Sequence, residues 1–281
     1  MRSEQHPNDR ASYLVLVLGL MLWIQVSPVK SKSHAPELEV LNEAGSSRGN
    51  RSFVENMGDA GAKSVLKQAL RFTTRLLQVS SSGRRKIVLV ISTLPEGETA
   101  STTTIDNMSV IEISQQHLGE FQGDVTREIE GLIYEQMTNA WINGIGAAPS
   151  GLLTGIAKFV RLKAGLPPDN QFEPDEFVTS TKGPWDVGSY ATAHFLVYLE
   201  DSFQSDFVAL INRKMADGWD ESFTWQILGL SVEKLWHEWS MAPHPSPVDS
   251  FVIGGVLSSA VVANVSSICL LVLFNLELSD R

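Results

Sequence analysis

Residues 123–141, with the sequence GDVTREIEGLIYEQMTNAW, carry the pattern that decides the fold. Their apolar side chains recur every three to four positions, which is the period of an α-helix with one buried face. The apolar stripe consists of Ile129, Leu132, Ile133, Met137 and Ala140. The pattern predicts a helix over residues 124–141 that packs on a hydrophobic core.

Segments on both sides of this helix alternate between helical and extended patterns. Residues 62–79 have helical spacing, whereas the β-branched run Lys86–Ser92 predicts a buried strand. A second strand is expected at about residues 109–113. Further helices are expected at about residues 151–164, 189–202, 205–216, 221–228 and 232–239. A small sheet packed on several helices is an α+β fold.

Composition sets the limits of this folded domain. Residues 31–58 are rich in Ser, Glu, Asn and Gly without apolar periodicity, which predicts a flexible linker. Residues 241–250 contain three prolines within MAPHPSPVD and predict an extended spacer. The domain is therefore expected to span residues 59–240.

Two uncharged apolar segments flank the domain. The first, ASYLVLVLGLMLWIQVSPV, leads us to interpret residues 1–30 as a signal peptide or signal anchor. The second lies within residues 251–276, a candidate transmembrane helix or C-terminal anchor, with a buried terminal helix as the alternative. Together they favour the secretory pathway, with a membrane-anchored or extracellular location.

Charge and cysteine content exclude some classes of function. The formal net charge of -10 argues against nucleic acid as a partner. The single cysteine, Cys269, can form neither an internal disulfide nor a thiolate zinc site.

Five blocks of sequence follow one another along the domain: GDVTREIEGLIYEQMTNAW (123–141), GLLTGIAKFVRLKAG (151–165), PWDVGSYATAHFLVYLE (184–200), FVALINRKMADGW (207–219) and LGLSVEKLWHEW (228–239). In this order they resemble the plant basic secretory proteins, also described as peptidases of plants and bacteria. The resemblance implies a zincin-like metallopeptidase fold. It also implies a zinc site in which the two histidines of H-E-x-x-H bind the metal and the glutamate activates bound water. A carboxylate of a following E-G-x-A-D run is the further ligand implied.

The chain departs from this motif at every position implied to act in catalysis. Aligned on Met137 and Trp141, the histidine positions hold Glu135 and Asn139, and the glutamate position holds Gln136. The acidic positions of the second run hold Thr154 and Lys158.

These replacements remove the chemistry of a zinc peptidase. Gln136 has no titratable proton for general-base catalysis, and Lys158 places a cation where a carboxylate would neutralise the metal. Glu135 remains as one ligand, whereas a catalytic zinc ordinarily needs three. We therefore expect no catalytic residues, no bound metal and no cofactor.

The same replacements predict local structure. Glu135 and Lys158 are expected to form an ion pair within about 4 Å that fills the former metal site. The alternative is two independent solvated charges. The domain is expected to remain folded without metal, because its apolar stripe and tryptophans are retained.

The leading functional interpretation is a catalytically inactive relative of a secreted peptidase, a membrane-tethered pseudoenzyme. Its residual cleft would bind a peptide or protein ligand, in a defence or cell-surface setting suggested by the family. One alternative is an active metallopeptidase with an unorthodox metal site around Glu135. Another is a membrane-associated structural or interaction protein. Asn50 and Asn107 begin N-glycosylation tripeptides and are candidate acceptors.

Overall fold

A four-stranded sheet forms one part of the molecule. The computed structural model describes residues 35–80, 86–168, 184–186, 188 and 190–241. The strands are β1 (Glu37–Asn42), β2 (Lys86–Ser92), β3 (Ala100–Ile105) and β4 (Met108–Ser114), in the order β1-β2-β4-β3. β1, β2 and β4 run parallel, whereas β3 pairs antiparallel with β4 and forms an edge.

Strand β2 is predicted correctly from its composition. Its residues 87–91 are all buried, because both faces of the strand are covered. Leu89 is in register with Val40 of β1 and with Ile111 of β4, which places β2 at the centre of the parallel part.

Nine α-helices are found in the described part of the chain. They are α1 (Arg48–Asn56), α2 (Gly58–Leu76), α3 (Gln115–Glu120), α4 (Val125–Trp141), α5 (Ser150–Lys163), α6 (Tyr190–Ser202), α7 (Phe207–Lys214), α8 (Phe223–Leu228) and α9 (Val232–Met241). A short 3-10 turn, Met215–Asp217, extends α7. The protein is thus a mixed α and β structure with a small sheet, as expected.

Helix α4 lies where its apolar period places it. All five residues of the predicted stripe are buried, and the helix packs against α2, α5 and β3. Asp124 caps the helix by accepting a hydrogen bond from the backbone N–H of Arg127 at 3.0 Å. The capped and buried helix is therefore a fixed support for the polar side chains on its other face.

The C-terminal helices complete the core. Trp236 is buried, and its ring centroid lies 5.1 Å from that of Phe195 in α6. The stacked ring of Trp239 packs beside it, so these two tryptophans belong to the core rather than to an open groove.

The prediction that residues 31–58 form a flexible linker is wrong for most of that segment. β1 pairs in parallel with β2 along six positions, and Glu39 forms a salt bridge with Lys86. The Ser47 hydroxyl caps α1, and Phe53 of that helix is fully buried. β1 and α1 carry too few apolar residues to show a period. Pairing with β2 nonetheless holds β1 in place, and burial of the Phe53 ring holds α1. The ordered fold therefore begins before residue 59.

Strand β3 and helix α3 are also absent from the sequence-based prediction. β3 consists mainly of serine and threonine, and its apolar content is too low to indicate a strand. A two-residue turn at Asp106 and Asn107 joins it to β4, with Asp106 at φ +51°. Hydrogen bonding to β4, rather than burial of its own side chains, defines β3.

The predicted signal or anchor at residues 1–30 and the candidate membrane segment at residues 251–276 lie outside the described residues. The predicted spacer at residues 241–250 does so too, except for Met241, which still belongs to α9. None of the helices described between residues 35 and 241 combines the length and hydropathy that crossing a bilayer requires.

Candidate functional site

The five candidate site residues predicted from the sequence lie on two helices that pack together. α4 carries Glu135, Gln136 and Asn139, and α5 carries Thr154 and Lys158. Lys158 Nζ lies 3.7 Å from Glu135 Oε1, so the predicted ion pair is confirmed. Their side chains are only 22% and 13% exposed, respectively, which contradicts the alternative of two independent solvated charges.

A second cation, Arg161, joins this pair and is not predicted from the sequence. Its NH1 lies 3.5 Å from Glu135 Oε2, and its NH2 lies 2.5 Å from Glu128 Oε2. Glu128 precedes Glu135 by two helical turns, so the two carboxylates lie on one face of α4. This seven-residue spacing, together with the i, i+3 spacing of Lys158 and Arg161, is a signal that the sequence contained.

Gly131 gives Arg161 access to both carboxylates. A Cβ at this position would lie 2.3 Å from Arg161 Nε and 2.5 Å from its Cζ, so any side chain here would require the guanidinium to shift. The glycine sits within α4 between Glu128 and Glu135. The guanidinium of Arg161 therefore packs directly against the backbone of α4 at Gly131.

His117 of α3 extends the cluster at its inner end. Its Nε2 lies 3.0 Å from Glu128 Oε1, so both oxygens of this buried carboxylate have partners. Burial by itself would raise the pKa of Glu128. The hydrogen bond to His117 and the positive charge of Arg161 outweigh it and lower the pKa below its ordinary value. Glu128 is therefore ionised at neutral pH.

Tyr190, at the start of α6, covers the outer end of the cluster. Lys158 Nζ lies 4.3 Å from the centroid of its ring, within the range of a cation–π contact. Removal from water raises the pKa of the Tyr190 hydroxyl, and the nearby carboxylates raise it further against the opposing charge of Arg161. The phenol therefore stays protonated at neutral pH.

Gln136 attaches α4 to the edge strand. Thr102 Oγ1 of β3 lies 2.9 Å from Gln136 Oε1 and 3.0 Å from the Gln136 carbonyl oxygen. Asn139 Nδ2 donates to the same Oε1 at 3.0 Å. The Gln136 side chain thus serves as a structural link between a helix and a strand.

Thr154 lies apart from these contacts. Its side chain is exposed and donates to the carbonyl oxygen of Ser150 in its own helix at 3.0 Å. The structure therefore brings together Glu135 with Lys158, and Gln136 with Asn139, but leaves Thr154 outside both groups.

The donor set does not fit a catalytic zinc site. Among the five motif positions, Glu135 alone offers a strong ligand, and both of its oxygens face cations. Throughout the described ranges, no three or more His, Cys, Asp or Glu side chains are grouped so that they could hold a metal ion. Asn139 offers an amide, a weak ligand for zinc.

The two candidate glycosylation sites differ in their surroundings. Asn50 lies in α1 rather than in a linker, and its Nδ2 donates to the carbonyl oxygen of Gly45. Asn107 is exposed at the turn between β3 and β4. The side-chain amide of Asn107 is therefore open to solvent, whereas the side-chain amide of Asn50 is hydrogen-bonded within the fold.

The family described as peptidase of plants and bacteria matches residues 33–239. The chain belongs to this family and is thus a peptidase-related protein. The match begins before β1, in agreement with an ordered segment ahead of residue 59. Comparison with curated proteins and with solved structures found no match.

Proposed function

We propose that this protein is a non-catalytic member of the peptidase family, with a zincin-like domain that binds a ligand without hydrolysing it. The observation that carries the proposal is the ion cluster of Glu128, Glu135, Lys158 and Arg161, in which Glu135 and Lys158 stand at positions that the resemblance aligns with metal ligands. Two fixed cations occupy the region in which a dication would have to be held.

Electrostatics supports the absence of a functional metal site. A dication brought near Glu135 would meet Lys158 and Arg161, both within 4 Å of that carboxylate. Like charges at such distances repel strongly in a partly buried setting. Binding zinc would therefore require the dication to displace both ion pairs.

Loss of the general base supports the absence of hydrolysis independently of the metal. Gln136 cannot take a proton from water, and such groups typically contribute about 10²–10⁴-fold to rate. Its Oε1 also accepts hydrogen bonds from Thr102 and Asn139. The side chain is thus engaged in holding β3 rather than in activating water.

An extended peptide is the ligand that we propose. Among the described strands, β3 lies at an edge of the sheet and contains no charged residue. A sheet edge of this kind accepts a further strand through main-chain hydrogen bonds. The opposite edge, β1, carries Glu37 and Glu39, which discourage such pairing. Thr102 of β3 is hydrogen-bonded to Gln136, the residue that follows Glu135 in α4.

The decisive experiment measures zinc and proteolysis together on the purified full chain. After dialysis against zinc and then against buffer, we expect metal well below one equivalent and no cleavage of an unfolded protein substrate. A matched variant with Glu135→His, Gln136→Glu, Asn139→His and Lys158→Asp restores ligands and should retain more zinc.

One equivalent of zinc in the natural chain, with proteolysis abolished by Glu135→Gln, would instead establish the active peptidase with an unorthodox site. Bound zinc without proteolysis would contradict the electrostatic argument against a metal site and would leave the absence of hydrolysis in place. The two measurements therefore separate the two functions.

We further propose delivery to the secretory pathway and tethering to a membrane, supported by the uncharged segments within residues 1–30 and 251–276. Extraction by detergent but not by alkaline carbonate, with protease protection in sealed vesicles, is the expected result. Release by carbonate would contradict tethering.

A further inference from the structure

The two ends of the ion cluster differ in how tightly their charges are held. Arg161 NH2 and Glu128 Oε2 are 2.5 Å apart, which is a hydrogen-bonded ion pair. Lys158 Nζ and Glu135 Oε1 are 3.7 Å apart, beyond the usual length of a charge-assisted hydrogen bond of about 2.7–2.9 Å. Arg161 and Glu128, at the inner end, are therefore joined by a hydrogen bond as well as by their charges. Lys158 and Glu135, at the outer end, form an ion pair that is too long for a hydrogen bond.

Lys158 retains hydrogen-bonding capacity that the described residues do not use. An ammonium group carries three N–H donors. Lys158 Nζ has an ion pair with Glu135 and a cation–π contact with Tyr190, and no hydrogen bond to any residue in the described ranges. The side chain is 22% exposed, so an acceptor from outside the fold can reach the ammonium.

We infer that Lys158 binds a carboxylate of the ligand, namely the free C-terminus of an extended peptide lying along β3. This inference rests on the proposed function, since it names the group of the proposed peptide ligand that the protein would recognise. The ammonium would supply the positive charge at that point.

The charges around Lys158 favour a single negative charge. Two carboxylates, Glu128 and Glu135, face two cations, Lys158 and Arg161. A monoanion can approach the outer cation, whereas a dianion such as phosphate would be repelled more strongly by Glu135 beside it. A carboxylate therefore fits better than a phosphate.

The position of Tyr190 supports a built binding point. Its ring keeps the ammonium 4.3 Å from the centroid, which limits the freedom of an otherwise flexible lysine side chain. A preorganised donor loses less conformational entropy when a ligand binds. Tyr190 thus positions Lys158 through a cation–π contact. A ligand would not have to break a hydrogen bond to reach the ammonium.

The test compares two fluorescein-labelled tetra-alanine peptides that differ only at the C-terminus, a carboxylate in one and a carboxamide in the other. Binding to the purified full chain in detergent is measured by fluorescence anisotropy. The carboxylate peptide should bind about tenfold more tightly or better, as expected for a hydrogen bond to a charged group. The advantage should decrease as salt is added.

Lys158 variants assign the effect to this side chain. Lys158→Met should abolish the preference for the carboxylate, and Lys158→Arg should keep it because the charge and donors remain. If Lys158→Met does not fold, as judged by circular dichroism, Lys158→Gln serves in its place.

Each other outcome contradicts a specific statement. Equal binding of both peptides overturns the carboxylate inference and leaves peptide binding in place. A preference that survives Lys158→Met places the carboxylate elsewhere and also overturns it. Binding of neither peptide overturns both this inference and the proposed binding of a peptide along β3.

Discussion

Replacing Gly131 by alanine tests whether the ion cluster depends on bare backbone in α4. Two effects oppose each other. Alanine favours the helix over glycine by about 1 kcal/mol. However, the new Cβ would lie 2.3 Å from Arg161 Nε, so the guanidinium must move away from Glu128. Breaking a buried ion pair costs about 3–5 kcal/mol because a charge is left without its partner.

The second effect is larger, so we expect Gly131→Ala to destabilise the fold by about 2–4 kcal/mol. The sign should reverse in a background that carries Glu128→Gln and Arg161→Ala. There the obstruction is absent, and the alanine should stabilise the fold by up to about 1 kcal/mol.

Urea denaturation followed by circular dichroism measures both backgrounds as a double-mutant cycle. The coupling between the two sites should therefore be about 3–5 kcal/mol. An equal effect of Gly131→Ala in the two backgrounds would refute the role assigned to the glycine. Stabilisation in the natural background would refute the importance of the Arg161 contact.

Four further outcomes are expected. Because the fold lowers the pKa of Glu128, this carboxylate stabilises the protein at neutral pH, and its contribution is lost as pH falls below about 4.3 and through the lower folded value. Urea midpoints between pH 3 and 7 should therefore fall less steeply for Glu128→Gln, and parallel curves would contradict this. Phe53→Ala should lower the free energy of unfolding by about 3–5 kcal/mol because its ring is fully buried. Val54→Ala, at a position 57% exposed, should lower it little. Small effects of equal size for both variants would support the flexible linker instead. Thr102→Val should lower the free energy of unfolding by about 1 kcal/mol and speed hydrogen exchange in β3, because it removes the hydrogen bond to Gln136. Thr103→Val, at an exposed position of the same strand, is the control. EDTA should leave the thermal midpoint unchanged, and a marked decrease would show that a metal supports the fold.

Much of the fold can be predicted from the sequence where apolar side chains recur with a clear period. The predicted strand Lys86–Ser92 agrees with β2 at both ends, and α4 begins one residue after the predicted start. Where an element depends on pairing with a distant partner, the prediction fails. β1, β3 and α1 are short, and their stability comes from β2, β4 and one buried ring rather than from their own composition.

The site divides in the same way. The sequence by itself determined the chemical nature of the candidate site residues, because Asn139 is a weak zinc ligand and Gln136 has no titratable proton wherever the side chain lies. Tertiary structure alone decided which groups surround Glu135. Arg161 is distant in sequence from Glu128, and only the packing of α5 on α4 across Gly131 brings guanidinium and carboxylate within 2.5 Å. Coulomb attraction depends on distance and burial, and neither is written in the local pattern of residues.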